Sequence, residues 1–183
     1  MMTALLLIDF QKAFEDSSWG QRNNPEAEMR AKEMLEAWRA SGQPVIHTQH
    51  TSVKPSSLFY KGSHRHQFID ELAPLSTETV FQKQVNSAFI GTKLKEHLEN
   101  EGITAIVVAG LITPHCVSTS VRMAGNYGYE TYVVADASAA FDREGIDGTH
   151  FTAEQVHKVE LAILHEEFAT VINSKEAIKL ITN

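Results

Sequence analysis

Three residues of this chain have the types to do chemistry together: a carboxylate, Asp9, an ammonium, Lys83, and the one thiol, Cys116. Each falls just past a short apolar run. Asp9 follows Leu5-Leu6-Leu7-Ile8, Lys83 follows Val80-Phe81-Gln82, and Cys116 comes a few residues after Ile106-Val107-Val108-Ala109-Gly110. Ligands of open α/β sheets bind outside the carboxyl ends of the strands, so these side chains are expected to face one crevice. In Gly110-Leu111-Ile112-Thr113-Pro114-His115-Cys116-Val117, a Gly and a Pro bend the chain out of a strand and deliver the sulfur to the start of a helix. Free backbone N–H groups and the positive end of the dipole favour a thiolate there, lowering its pKa from an ordinary value of about 8.5. The chemistry would be nucleophilic attack by sulfur. Taken singly, each residue also has a plainer reading. A strand-end Asp is commonly a cap or turn former, a lone Lys a solvated surface residue, and a free Cys an inert buried one.

The elements that must position them follow from the period of the apolar residues. Runs rich in branched side chains at Ala4–Ile8, Val45–Thr48, Thr79–Gln82, Ala105–Ala109, Thr131–Ala135 and Thr170–Ile172 read as buried strands. Helical stretches lie between them. Pro25–Ala40 opens on a proline, carries Met29, Met34, Leu35 and Trp38 at helical spacing, and stops at Ser41-Gly42. Phe89–Glu101 is closed by Gly102, with Leu94 and Leu98 inward; Ala153–Phe168 is expected to turn Val156, Val159 and Ile163 inward. Repeated strand–helix alternation means crossover connections, hence a mostly parallel sheet between two helical layers, a Rossmann-like three-layer α/β/α domain. At 183 residues the chain is expected to be one domain, 1–183. The turn-rich stretch from Thr51 to Ser76, with His64-Arg65-His66, is long enough for a functional loop.

Composition removes several classes of function. Sixteen Lys and Arg against twenty-three Asp and Glu leave a net charge of −7, which argues against a polyanionic partner such as nucleic acid. No apolar run reaches the roughly 18–20 residues of a membrane span, and MMTALLLIDFQ has neither a basic leader nor a small-residue cleavage site, so a cytoplasmic protein is expected. A single cysteine allows neither an internal disulfide nor a cysteine-based zinc site. No G-x-G-x-x-G follows the first strand and no P-loop occurs, which weighs against nucleotide binding.

Leu6-Leu7-Ile8-Asp9-Phe10-Gln11, the step Phe81-Gln82-Lys83 before Asn86-Ser87-Ala88-Phe89, and Gly110 to Val117 together resemble the isochorismatase-like cysteine hydrolases. That family includes nicotinamidases, N-carbamoylsarcosine amidohydrolases, ureidoacrylate amidohydrolases and streptothricin hydrolases, and the likeness runs from about residue 3 to about residue 175. The resemblance implies a six-stranded, mainly parallel sheet carrying an Asp–Lys–Cys triad, with Asp9 as general base, Lys83 as its lysine and Cys116 as nucleophile. It also implies a cis peptide between Leu111 and Ile112, and an oxyanion hole from the backbone N–H groups of Ile112 and Cys116. No organic or redox cofactor is implied. Homodimers or homotetramers are common among such proteins.

The metal set of the family's nicotinamidases is not reproduced. His50 stands where their Asp falls and Ser52 where their His falls, in His47-Thr48-Gln49-His50-Thr51-Ser52, so no metal is expected. His50, His64 and His66 are the alternative histidine ligands for a divalent ion; the plainer expectation is His50 hydrogen-bonded in the pocket and His64 and His66 on a solvated loop. Phe10, Gln11, Phe14, His50, Phe59, Tyr60 and His115 are the candidate pocket residues, with Trp19 a further aromatic. Arg65 and Arg122 are the cations available to a carboxylated substrate. The leading expectation is a cysteine amidohydrolase of a small amide, lactam or carbamoyl compound. A vinyl-ether hydrolase of the isochorismatase type and a non-catalytic thiol module are the alternatives; with one Cys, a redox sensor has no resolving partner.

Overall fold

The structure, a computed structural model, describes residues 2–182. In chain order its principal elements are β1 (Thr3–Ile8), α1 (Ala27–Ser41), β2 (Val45–His50), β3 (Thr79–Lys83), α2 (Leu94–Asn100), β4 (Ala105–Leu111), α3 (Ser118–Asn126), β5 (Glu130–Ala139), β6 (Arg143–Glu144), β7 (His150–Phe151), α4 (Ala153–Leu164), β8 (Thr170–Ile172) and α5 (Ser174–Thr182). Six strands form one sheet in the order β3-β2-β1-β4-β5-β8, and every pairing in it is parallel.

Alternation along the central strands feeds two cores. Leu5 and Leu7 turn to one face, where α1 lays Ala27, Ala31, Met34, Leu35 and Trp38 against the sheet and α5 adds Ala177. Ala4, Leu6 and Ile8 turn to the other, against Leu94 and Leu98 of α2, Val121 and Ala124 of α3, and Leu161 and Leu164 of α4. Two-sided burial accounts for the continuous apolar strands, since a parallel sheet covered by helices has no polar face. Trp38 is fully buried, and its indole N–H donates to the Thr3 carbonyl at 2.9 Å, tying α1 to the start of β1. The three-layer α/β/α reading of the sequence is therefore the observed architecture.

Some expected boundaries and faces differ. The second helix begins at Leu94, not Phe89: Gly91 has φ +72°, and the Thr92 hydroxyl accepts from the Leu94 N–H at 3.3 Å, so the turn before it ends in a local cap. The last strand pair of the core is longer than expected, with β5 reaching Ala139. Helix α4 buries Ala153, His157, Leu161 and Leu164, whereas Val159 and Ile163 are exposed and Val156 is half-buried. A buried histidine occupies the place in the inward stripe that apolar spacing alone gave to valine. Met29 of α1 likewise faces solvent. A short antiparallel hairpin, β6–β7, was not anticipated; its strands have two residues each.

The sheet order places the site. From β1 the chain winds outward through β2 to β3, then returns to β4 and winds the other way, so the winding direction reverses between β1 and β4. The crevice beyond the carboxyl ends of those two strands is the expected ligand position of a doubly wound sheet. Gly110 permits their close approach: a Cβ there would lie 2.3 Å from the Ile8 carbonyl oxygen and 2.6 Å from the Ile8 Cβ. Among the described residues no helix is long and apolar enough to cross a membrane.

Candidate active site

Asp9 is the first residue past β1 and takes a left-handed backbone conformation, φ +51°, which Asp tolerates better than most residues. This turns its carboxylate out of the strand alternation and across the strand ends. Its N–H donates to the Thr48 carbonyl of β2 at 3.2 Å, and its carbonyl accepts from the Gln11 N–H at 2.7 Å, so the strained residue is held on both sides. Lys83, the last residue of β3, places its ammonium 2.6 Å from Asp9 Oδ2, with both side chains fully buried. The ammonium also contacts His50 Nδ1 at 3.3 Å and donates to the Val85 carbonyl at 3.2 Å.

Cys116 enters from β4. Thr113–Val117 form a turn of wide π-helical pitch leading into α3, and the Leu111–Ile112 peptide before it is cis, at the place the resemblance marked. Ligand atoms of Asp9, His50 and Cys116 lie within 4.8 Å of one another, so thiol, carboxylate and imidazole share one small volume with the ammonium. The thiol is 7% exposed, and Sγ lies 3.8 Å from Asn86 Oδ1.

The electrostatics correct one expectation. Burial, reinforced by the negative charge of Asp9 and opposed by Lys83, pushes the Cys116 thiol up to about 12, not below its ordinary range. Desolvation outweighs the helix-terminus contribution, because removing water disfavours the charged form directly. The resting sulfur is therefore protonated at neutral pH. His50 is held below the ordinary imidazole range by burial and then by the Lys83 charge, with Asp9 opposing, so it is neutral beside the pair. His115 is shifted the same way by burial and by Arg143, with Glu160 opposing.

The other candidate residues divide into groups. Gln11 is fully buried and spends its amide on the backbone: Nε2 donates to the carbonyls of His50 at 3.0 Å and His66 at 2.8 Å, and Oε1 accepts from the His50 N–H at 2.7 Å. It clamps the end of β2. Phe10 is buried in the core on the α1 side of the sheet. Phe14, Trp19, Phe59 and Phe141 pack into one aromatic cluster, with Phe14 to Trp19 at 5.0 Å and Trp19 to Phe141 at 5.4 Å between ring centroids. Phe59 carries this cluster to His50 at 4.9 Å, edge to face. Tyr60 lies partly exposed at the rim of the long loop. Arg65 pairs with Asp16 and Arg122 with Glu160, so both guanidinium groups already have carboxylate partners.

The histidine metal set is not assembled. His66 is buried, with its ring at 2.9 Å from the Thr51 hydroxyl, while His64 is exposed. Ser52 Oγ accepts from the Lys54 N–H in a local turn. Asp9, His50 and Cys116 are the one group of three such donors within 4.8 Å among the described residues. A dication among them would sit against the Lys83 ammonium that already neutralises Asp9, so the residues present do not fit a metal centre.

Residues that sequence reasoning passed over also contribute. The Thr48 hydroxyl donates to Asp9 Oδ1 at 2.6 Å. Behind the nucleophile, the Thr113 hydroxyl donates to the Ala139 carbonyl at 3.0 Å and lies 2.8 Å from Nδ1 of buried His157, whose Nε2 is 3.3 Å from Asn24 Nδ2.

The Isochorismatase domain family model matches residues 3–176. The uncharacterized isochorismatase family protein YrdC of Bacillus subtilis is 46% identical over 175 residues, covering 96% of this chain and 94% of that protein. A solved isochorismatase-family structure from Chromobacterium violaceum superposes with a TM-score of 0.96 at 42% identity, covering 98% of this chain and 93% of that one. Nicotinamidase 3 of Arabidopsis thaliana is 27% identical over 78% of this chain and 76% of its own length. Streptothricin hydrolase of Streptomyces noursei and maleamate amidohydrolase of Pseudomonas putida match at 28% and 29%, over 55% and 47% of their own lengths. With a parallel sheet wound from β1 and β4, a carboxylate and a thiol at the ends of those strands, and a match across nearly the whole chain, this protein belongs to the isochorismatase family.

Proposed function

We propose that the protein is a cysteine-dependent hydrolase of a small amide, lactam or carbamoyl compound, working through a thioester. The observation that carries this reading is the convergence of Asp9, Lys83 and Cys116 from three strand ends into one buried cluster. The C–N bond hydrolases among its relatives support the same reaction class.

In this reading Asp9 is the base and Cys116 the nucleophile. As sulfur attacks the carbonyl carbon, its proton passes to Asp9 and an S–C bond forms. The oxyanion is received by the backbone N–H groups of Ile112 and Cys116, a kind of interaction worth about 2.7–4 kcal/mol per donor. Asp9 then returns the proton to the leaving nitrogen, the C–N bond breaks, and a thioester remains. Water attacks it, Asp9 accepts the proton of that water and passes it to the departing sulfur, and the acid leaves. Lys83 keeps Asp9 charge-compensated in a buried site. Phe59, which joins the Phe14 and Trp19 rings to His50, supplies the aromatic wall of the substrate pocket in this reading. The same proposal places the protein in the cytoplasm as a homodimer or homotetramer.

Ammonia release from a panel of small primary amides and carbamoyl compounds tests it. Cys116→Ala is expected to abolish turnover while the circular dichroism spectrum is unchanged. Hydrolysis retained by folded Cys116→Ala would overturn the assignment.

A further inference from the structure

We propose that His157 of α4 is a positioning residue that holds the nucleophile turn in place through the Thr113 hydroxyl, a role that rests on the thiol-hydrolase reading above.

The turn that carries Cys116 has few bonds of its own to fix it. Thr113–Val117 winds with the wide π pitch, a rare geometry met frequently at functional sites. Two of its N–H groups share one acceptor, the Ile112 carbonyl, with His115 at 3.0 Å and Val117 at a long 3.4 Å, and Pro114 has no N–H to give. Side chains add one anchor. Apart from the contact between the sulfur and Asn86, the side-chain hydrogen bonds of this segment among the described residues all belong to Thr113, with the Ala139 carbonyl at 3.0 Å and with His157 Nδ1 at 2.8 Å. The first ties the turn to the end of β5 and the second ties it to α4.

An imidazole needs a reason to stand there. His157 is 4% exposed in the inward stripe of α4 that Ala153, Leu161 and Leu164 share, where an aliphatic side chain would be buried without desolvating ring nitrogens. Burial holds it below the ordinary imidazole range, so at neutral pH it meets Thr113 as a neutral hydrogen-bonding group. At its other edge, Nε2 is 3.3 Å from Asn24 Nδ2, whose two hydrogens go to the Ala135 and Ser138 carbonyls at 2.9 and 2.7 Å. Of these two side-chain atoms beside the ring, the Thr113 hydroxyl is the one with bonding capacity left for it.

Helix α4 is a firm base for such a hold. Thr152 and Gln155 close a capping box, the Ala153 N–H donates to Asp142 Oδ1 at 2.7 Å, and Asn23 Nδ2 donates to Glu154 Oε2 at 3.0 Å. Thr113 directly follows Ile112 and stands three residues before Cys116. What fixes its side chain therefore bears on the sulfur and on the N–H assigned to the oxyanion.

Alkylation of Cys116 by iodoacetamide at pH 7 tests this without a known substrate, with a urea midpoint measured for every variant. A misplacement of about 1 Å can cost on the order of 10²-fold, and a turn that keeps its backbone bonds should lose less. His157→Leu and Thr113→Val are each expected to alkylate about tenfold more slowly than wild type. The double variant is expected to be no more than about twofold slower than either, because the two act through one contact. The amides separate this role from packing: Asn places a polar atom where Nδ1 stands, and Gln places one where Nε2 stands. His157→Asn is expected to recover to within about threefold of wild type and His157→Gln to stay slow, whatever their urea midpoints. Thr113→Ser, which keeps the hydroxyl, is expected to recover likewise, and these three variants carry the comparison should His157→Leu fail to fold. A His157→Leu rate within twofold of wild type or above it, a double variant about a hundredfold slow, or His157→Asn and His157→Gln rates that simply follow their midpoints would each overturn the proposal. If Asp9→Asn alkylates as fast as wild type, the thiol-hydrolase reading itself falls, and the role of His157 falls with it.

Discussion

At the scale of single residues, the sulfur is the informative one. A thiol pushed up to about 12 by burial cannot supply a standing thiolate at neutral pH, so its reactivity depends on a base acting during attack. The expected iodoacetamide profile is therefore a plateau through neutral pH that Asp9→Asn abolishes, followed by a separate rise only toward about 12. A profile rising smoothly through pH 8–9 in both proteins would show a simple thiol instead. This was the part of the site hardest to read from sequence. The turn Gly110 to Val117 announces a helix start, and a helix start favours a thiolate; how little water reaches the sulfur depends on Ala88, Val117 and their neighbours, which no local pattern ties to Cys116. Thr48 and His157 were missed for a related reason. A buried polar residue in a strand or helix reveals its side of the element through spacing, but its hydrogen-bond partner comes from another part of the chain.

Elements were legible where burial is two-sided and obscure where it is not. The branched runs of β1, β2 and β4 mark central strands because both faces are covered, and their ends placed Asp9 and Cys116 at the crevice. Helix α4 misled because Val159 and Ile163 are apolar yet exposed, while the inward position falls to His157. Strand contact supplies a prediction at this scale. Gly110→Ala forces a methyl group to within 2.3 Å of the Ile8 carbonyl oxygen, so β1 and β4 must separate where the base and the nucleophile leave the sheet. Overpacking of this kind costs about 1–3 kcal/mol, and the urea midpoint of Gly110→Ala is expected to fall accordingly. Activity should fall with it, since the displaced oxygen belongs to the residue before Asp9. An unchanged midpoint would mean that the strands yield without cost.

For the whole molecule, buried imidazoles set the response to acid. His47, His50, His66, His115 and His157 are all held below the ordinary value of 6.5, in each case chiefly by burial. Above that value both folded and unfolded chains hold these rings neutral and stability does not depend on them. Below it the unfolded chain takes up protons that the folded one refuses, so stability falls as pH falls. Glu78 adds a second stage. Burial raises its proton affinity, but Arg39, the Leu75 N–H and His47 outweigh this and bring it from 4.5 to about 2, so its stabilisation is present above 4.5 and lost between there and about 2. Urea midpoints are expected to decline from pH 7 to pH 5 and further below 4.5; a midpoint constant from pH 7 to pH 5 would contradict the first stage.

The winding reversal between β1 and β4 also governs when the site can exist. Asp9 leaves the ribosome early, but the strand beside it, β4, pairs Ile8 with Gly110, about a hundred residues later, and such non-local pairing is slow to form. Until that pairing closes, the carboxylate has no thiol near it and the apolar edge of β1 has no neighbour. No portion of the chain that stops short of β4 can hold a partial version of this chemistry, because base and nucleophile are brought together only at the seam between β1 and β4.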